Sequence, residues 1–181
     1  YKNNSDFMLR FIFIFLIILT DLTEIDAQPT NAESLLQEIY KLPVKTTTTT
    51  EYIIVLKKLK QASFEENNKY LLAKSLDGLS QMHYLEKDYL NYESVMKEFM
   101  DVAKDTVALG LEHYSIALNN YAMLYKIKGQ YKRSIELNLQ AIDLEKNTTN
   151  NLEDLRRLYS NISIDYRLLG DHENSLITAY K

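Results

Sequence analysis

From Gln28 to Lys181 the apolar residues recur at intervals of three and four, and almost nowhere do they alternate strictly with polar ones. The first spacing lines up one face of an α-helix, the second one face of a strand. The pattern predicts eight helices, over 31–41, 51–63, 68–86, 92–105, 110–128, 131–146, 152–169 and 172 to the end. Pro43 stops the first, because a proline disfavours helical geometry in the residue before it. The threonine run at 46–50 reads as a low-complexity loop or lead-in, since β-branched side chains fit helix interiors poorly. The predicted helices pair as four hairpins.

Internal repetition turns this all-α pattern into an architecture. The stretch LNNYAMLYKIKGQYKRSIELNLQA aligns with YSNISIDYRLLGDHENSLITAY, setting Asn120 on Asn161, Ala122 on Ser163, Tyr125 on Tyr166, Gly129 on Gly170 and Ser134 on Ser175. All five pairs share one offset, 41 residues. A fainter copy, YESVMKEFMDVA, places Tyr92, Val95, Phe99 and Val102 where Tyr131, Ser134, Asn138 and Ala141 sit, at an offset of 39. A hairpin repeated at this period predicts a solenoid, because each apolar face is covered only by a stacked neighbour. The expected organisation is a leader over 1–27, a divergent helical lead-in over 28–63, and an array of about three hairpins over 64–181.

The repeated residue types have physical reasons. A small side chain on the first helix (Ala122, Ser163) facing a small one on the second (Ser134, Ser175) lets two backbones approach, since side-chain size sets helix separation. Gly129 and Gly170 fall where the chain must end one helix and reverse, which favours the left-handed conformation open to glycine. Tyr125 and Tyr166 offer large amphipathic plates for packing.

Leu118, Tyr121 with Ala122, Tyr125, Gly129, Ser134, Asn138 and Ala141 resemble the pattern of a tetratricopeptide repeat. Tyr159, Ile162 with Ser163, Tyr166, Gly170, Ser175 and Ala179 form the second copy. The long period and the LNN and YSN openings are closer to the repeats of kinesin light chains and of bacterial sensory proteins. The resemblance covers 110–181 and extends more weakly back to about 68; Asn138 departs from the usual aromatic, and no proline closes the repeat at Lys146. It implies a right-handed α-solenoid of antiparallel hairpins that binds a protein or peptide in its concave groove. It also implies that Asn120 and Asn161 contact bound peptide, as asparagines at the equivalent positions do in kinesin light chains.

The helical period picks out the same surface. Asn119, Asn120, Met123, Lys126 and Ile127 form a stripe on one first helix, and Ser160, Asn161, Ile164, Arg167 and Leu168 its equivalent on the next, with Arg157 nearby as a further groove residue. An asparagine amide both donates and accepts, which suits capture of an extended backbone, while Lys126, Arg157 and Arg167 would attract acidic groups. The competing expectation is that the asparagines bond only to the neighbouring repeat and the basic side chains are solvated.

Composition narrows the function classes. With 46% hydrophobic residues, 4 Gly, 2 Pro and no Cys, the chain suits long helices with short connections and has no disulfide, thiolate metal site or cysteine nucleophile. A net charge of −4 without a basic tract argues against nucleic acid. His83, His113 and His172 lie far apart with no metal-ligand spacing, no phosphate loop or paired catalytic carboxylates are found, and neither an enzyme nor a cofactor is expected.

The start of the chain points to export. From Met8, Arg10 precedes an apolar run over 11–19 and a polar stretch to Ala27, the layout of a secretory signal peptide, with residues 1–7 upstream of it. Nine apolar residues are too few to span a bilayer, which takes about 20. A buried strand or helix over 11–19 is the alternative. The expected location is periplasmic or extracellular. Because Lys181 falls inside the last second helix, an uncovered apolar face is expected there, open to self-association or to further chain. A periplasmic sensor region of a larger membrane signalling protein, a histidine kinase or DNA-binding regulator, is therefore the alternative to a free scaffold.

Overall fold

The computed structural model describes residues 29–43, 47–148 and 151–181; the expected leader over 1–27 lies outside them. The described residues form eight helices and no strand: α1 (Asn31–Lys41), α2 (Thr49–Glu65), α3 (Lys69–Leu85), α4 (Tyr89–Ala103), α5 (Thr106–Ile127), α6 (Tyr131–Asn147), α7 (Leu152–Leu168) and α8 (His172–Ala179). None is long and apolar enough to cross a membrane.

Local chemistry sets the starts of these helices. Thr30 and Glu33 form a reciprocal capping box, the glutamate accepting from the Thr30 N–H at 2.9 Å and the threonine from the Glu33 N–H at 3.3 Å. Thr48 and Glu51 repeat it at 2.6 and 3.2 Å. The threonine run is thus not simply a loop: Thr48 caps α2, and Thr49 and Thr50 form its first turn, where a β-branched residue meets no preceding turn. Asn68, Asp88, Asn151 and Asp171 cap α3, α4, α7 and α8.

Four reversals share one geometry. Asn67, Lys87, Gly129 and Gly170 have φ of 53°, 57°, 71° and 78°. At each, paired backbone bonds close the preceding helix, as where Gly129 N–H reaches the Lys126 carbonyl and Gln130 N–H the Tyr125 carbonyl. The turns at Lys87 and Gly129 correct the fainter repeat: α4 begins at Tyr89 and α6 at Tyr131, an offset of 42 rather than 39. The three-residue error is nearly one helical turn, so it preserved the buried face and looked self-consistent. Gly110, at φ 78°, breaks α5 between a leading turn and the long segment that follows.

Each helix packs on its neighbours in the chain, and α3 also meets α5. Three successive cores result. Leu36, Tyr52, Leu59 and Leu79 join α1, α2 and α3; Leu76, Met96, Phe99 and Leu124 join α3, α4 and α5; Leu118, Ile135, Leu158 and Ile162 join α5, α6 and α7. A protein whose cores link only near neighbours is quasi-one-dimensional, the arrangement of a helical solenoid. Ala122 and Ser134 are fully buried. Ser163 and Ser175 touch, each hydroxyl donating to the other's carbonyl, at 2.8 and 2.9 Å.

Candidate functional site

The first helices of the three hairpins, α3, α5 and α7, are tied by side chains that reach across repeats. Asn120 of α5 donates its amide to Asp77 of α3 at 2.7 Å, and Asp77 also accepts from Gln81 at 3.0 Å. One residue back, Asn119 accepts from the Asn161 amide of α7 at 2.8 Å. Tyr92 of α4 supports the same strip from behind, donating its buried hydroxyl to the Asn120 carbonyl at 2.7 Å. Two consecutive asparagines on α5 thus face opposite ways along the stack, one toward each flanking repeat.

A second tie lies one turn further along. Ser134 of α6 donates to Asp165 of α7 at 2.6 Å, and the Lys126 ammonium stands 3.2 Å from the other carboxylate oxygen. That contact is an ion pair without hydrogen-bond alignment, since the same oxygen has no hydrogen-bonding partner of its own. Lys126 also donates to the Asn161 carbonyl at 3.5 Å.

Burial governs the electrostatics of both carboxylates. Loss of water pushes the Asp77 carboxyl above its ordinary range; the Gln81 and Asn120 hydrogen bonds, with Arg157 and His113 nearby, offset only part of this. Loss of water likewise pushes Asp165 up, against the opposing effects of Ser134 and Lys126.

The sequence-predicted residues therefore divide. Asn119, Asn120, Lys126 and Asn161 come together in contacts between repeats. Met123 and Ile164 are half-buried, while Arg157, Ser160 and Arg167 are exposed, with Arg157 paired to Asp154 at 2.8 Å. Lys126, only 14% exposed and held by Asp165, is a poor attractor for an acidic ligand. Towards α3 the surface continues through Tyr70, which meets His113 edge-on at 5.3 Å and carries Lys74 4.5 Å over its ring.

No protein-family model, curated protein or solved structure matches this chain. What this face can do rests on its own residues. It presents fixed amides and carbonyls, half-buried apolar side chains and guanidinium groups on one surface. Two shallow depressions elsewhere, about 440 and 370 Å³, are lined by other residues, among them Leu139 and Gln140 in one and Phe64 and Lys69 in the other. Among the described residues no three His, Asp or Glu side chains are grouped to hold a metal ion.

Asp77, Asp165 and the hydroxyl of Ser134 escaped the sequence reading. A signal for Asp165 existed: it lies three residues after Ile162 and seven after Leu158, on the apolar stripe of α7, where a charge demands a partner. Asp77 carried a weaker one, directly after the buried Leu76.

Proposed function

We propose that the chain is a non-enzymatic scaffold of tetratricopeptide type, a right-handed α-solenoid that binds a protein or peptide along the surface of α3, α5 and α7. The asparagine amides are engaged between repeats, as the competing expectation had it, and so do not themselves supply the capture. The observation that carries the proposal is that these bonds, from Asn120 to Asp77 and from Asn161 to Asn119, fix the three first helices on which half-buried Met123 and Ile164 and exposed Arg157 stand. A surface fixed before binding lowers the ordering cost that a ligand must overcome. Met123 and Ile164 supply apolar contact, and Arg157, Ser160 and Arg167 supply polar anchors, so an extended segment with apolar and acidic side chains fits best. The leader read from Met8 to Ala27 supports work outside the cytosol, where a chain with 0 cysteines is indifferent to redox conditions.

The test is to select displayed peptides on the purified chain and titrate the winners into an Arg157→Ala, Ile164→Ala variant. Loss of binding at unchanged melting temperature supports the proposal. Failure to select any peptide, or equal binding to both proteins, overturns it.

A further inference from the structure

Asp77 does a structural job that a neutral side chain does one repeat on. The turns at Lys87 and Gly129 lie 42 residues apart, and the same shift sets Asp77 of α3 on Asn119 of α5. Each accepts an asparagine amide from the following first helix, Asp77 from Asn120 at 2.7 Å and Asn119 from Asn161 at 2.8 Å. An amide oxygen therefore serves this tie, and the charge on Asp77 is surplus to packing. That charge is also costly, since loss of water raises the carboxyl above its ordinary range. Asn119 is buried, whereas Asp77 stays half-buried on the strip that α3 shares with α5. Its carboxylate accepts only from the amides of Asn120 and Gln81, and among the described residues it forms no ion pair. The cations around it are directed elsewhere or stand further off. Arg157 pairs with Asp154 at 2.8 Å, Lys74 lies 4.5 Å over the Tyr70 ring, and His113 meets that ring edge-on at 5.3 Å; Arg157 and His113 act on Asp77 through space. Asp165, the carboxylate of the second tie, has Lys126 at 3.2 Å. Proteins keep costly charges that packing does not need chiefly at functional sites.

We infer that Asp77 is a cation subsite of the inner face, receiving the ammonium or guanidinium group of a bound peptide, from a lysine or arginine side chain or from a free N-terminus. A carboxylate offers about four acceptor positions. The amides of Asn120 and Gln81 use two of them, which leaves room for a charged donor while both ties stay in place. The poor hydration that makes the lone carboxylate costly strengthens its attraction for a cation brought beside it. The subsite rests on the inner-face binding proposed above and adds to that ligand a basic group at α3, alongside its apolar and acidic groups. Asp77→Asn separates the two roles of the residue, because it keeps an acceptor for Asn120 and removes the charge.

The experiment selects one displayed random-peptide library in parallel on the full chain and on its Asp77→Asn variant, and titrates the synthetic winners into both proteins by fluorescence anisotropy. Winners on the parent are expected to share a lysine or arginine, or to need a free N-terminus, as winners on the variant do not. Replacing that lysine or arginine by glutamine, or acetylating the N-terminus, identifies the source of the cation. The effective change weakens binding to the parent about tenfold, the loss expected for one hydrogen-bonded charge pair, and leaves binding to Asp77→Asn unaltered. The variant itself binds the unmodified peptide about tenfold less tightly while melting no lower than the parent, a combination that a purely structural role does not give. Winners that bind both proteins equally, or that lose the same affinity for both when the cation is removed, overturn the subsite and leave the inner-face reading standing. Failure to select any peptide, or winners indifferent to Arg157→Ala, Ile164→Ala, overturns that reading and the subsite with it.

Discussion

Lys126 of α5 and Asp165 of α7 form an ion pair across a repeat boundary, 3.2 Å apart, with the aspartate side chain fully buried. Breaking one side of such a pair leaves a charge in a low-dielectric site without compensation, which costs far more than the intact pair contributes. Lys126→Ala is expected to destabilise the fold by about 3 kcal/mol, read from urea denaturation. Adding Asp165→Asn to that variant recovers most of the loss, because the stranded charge is gone. The exposed pair Arg133 and Glu136 serves as control, and Arg133→Ala leaves the denaturation midpoint unchanged.

The two raised carboxyls give a pH signature with a definite sign. A folded-state pKa above the unfolded value, about 3.9 for aspartate, means that the folded chain holds its proton more tightly. The stability linked to Asp77 and Asp165 is therefore fully present below about pH 4 and lost as pH rises through the folded values. Asp77→Asn keeps an acceptor for Asn120 but removes a half-buried, poorly hydrated charge. It should melt higher than the parent at pH 7, with the difference closing towards pH 4. Asp88 and Asp171 act oppositely: the side chains of Asn91 and Asn174 hold their carboxyls low, so their contribution is present at neutral pH and lost on acidification.

Gly129 and Lys87 occupy equivalent turns with φ of 71° and 57°. A Cβ on Gly129 would meet no atom within 4 Å, so Gly129→Ala costs backbone strain alone. The expected loss is about 1 kcal/mol. Lys87→Gly works in reverse, relieving a left-handed lysine while adding freedom to the unfolded chain, for a net gain of about 0.5 kcal/mol. Thermal denaturation of the two variants should move in opposite directions.

These turns also mark what the sequence could and could not disclose. Buried residues at helical spacing placed every described helix, and the two glycines located the turns at 129 and 170. The equivalent turns at Asn67 and Lys87 carry no glycine, which left the register of α4 free to slip by three residues. Tyr89 and Leu90 escaped because the first turn of α4 points them outward, Leu90 at 83% exposure, and so breaks the buried stripe. In the face itself, the asparagines were conspicuous as residues that packing did not need. Their partners were not visible, because Asp77 lies 43 residues from Asn120 and Asn161 lies 42 from Asn119.

Because both amides are engaged between repeats, Asn120→Ala and Asn161→Ala should each lower stability by about 1 kcal/mol, whatever they do to ligand. A double-mutant cycle between Asn119 and Asn161 should return a coupling of about 0.5 to 1.5 kcal/mol. Additive losses would mean that their hydrogen bond contributes nothing to holding the repeats together.

Ligand is expected to lie along α3, α5 and α7. This is tested most directly by titrating a selected peptide into isotope-labelled chain and following backbone amide resonances. Shifts are expected to concentrate around Asp77, Asn120, Met123, Ser160 and Ile164, with those of Leu139 and Gln140 on α6 unmoved. Shifts centred on α6, or confined to the ends of the stack, would contradict it.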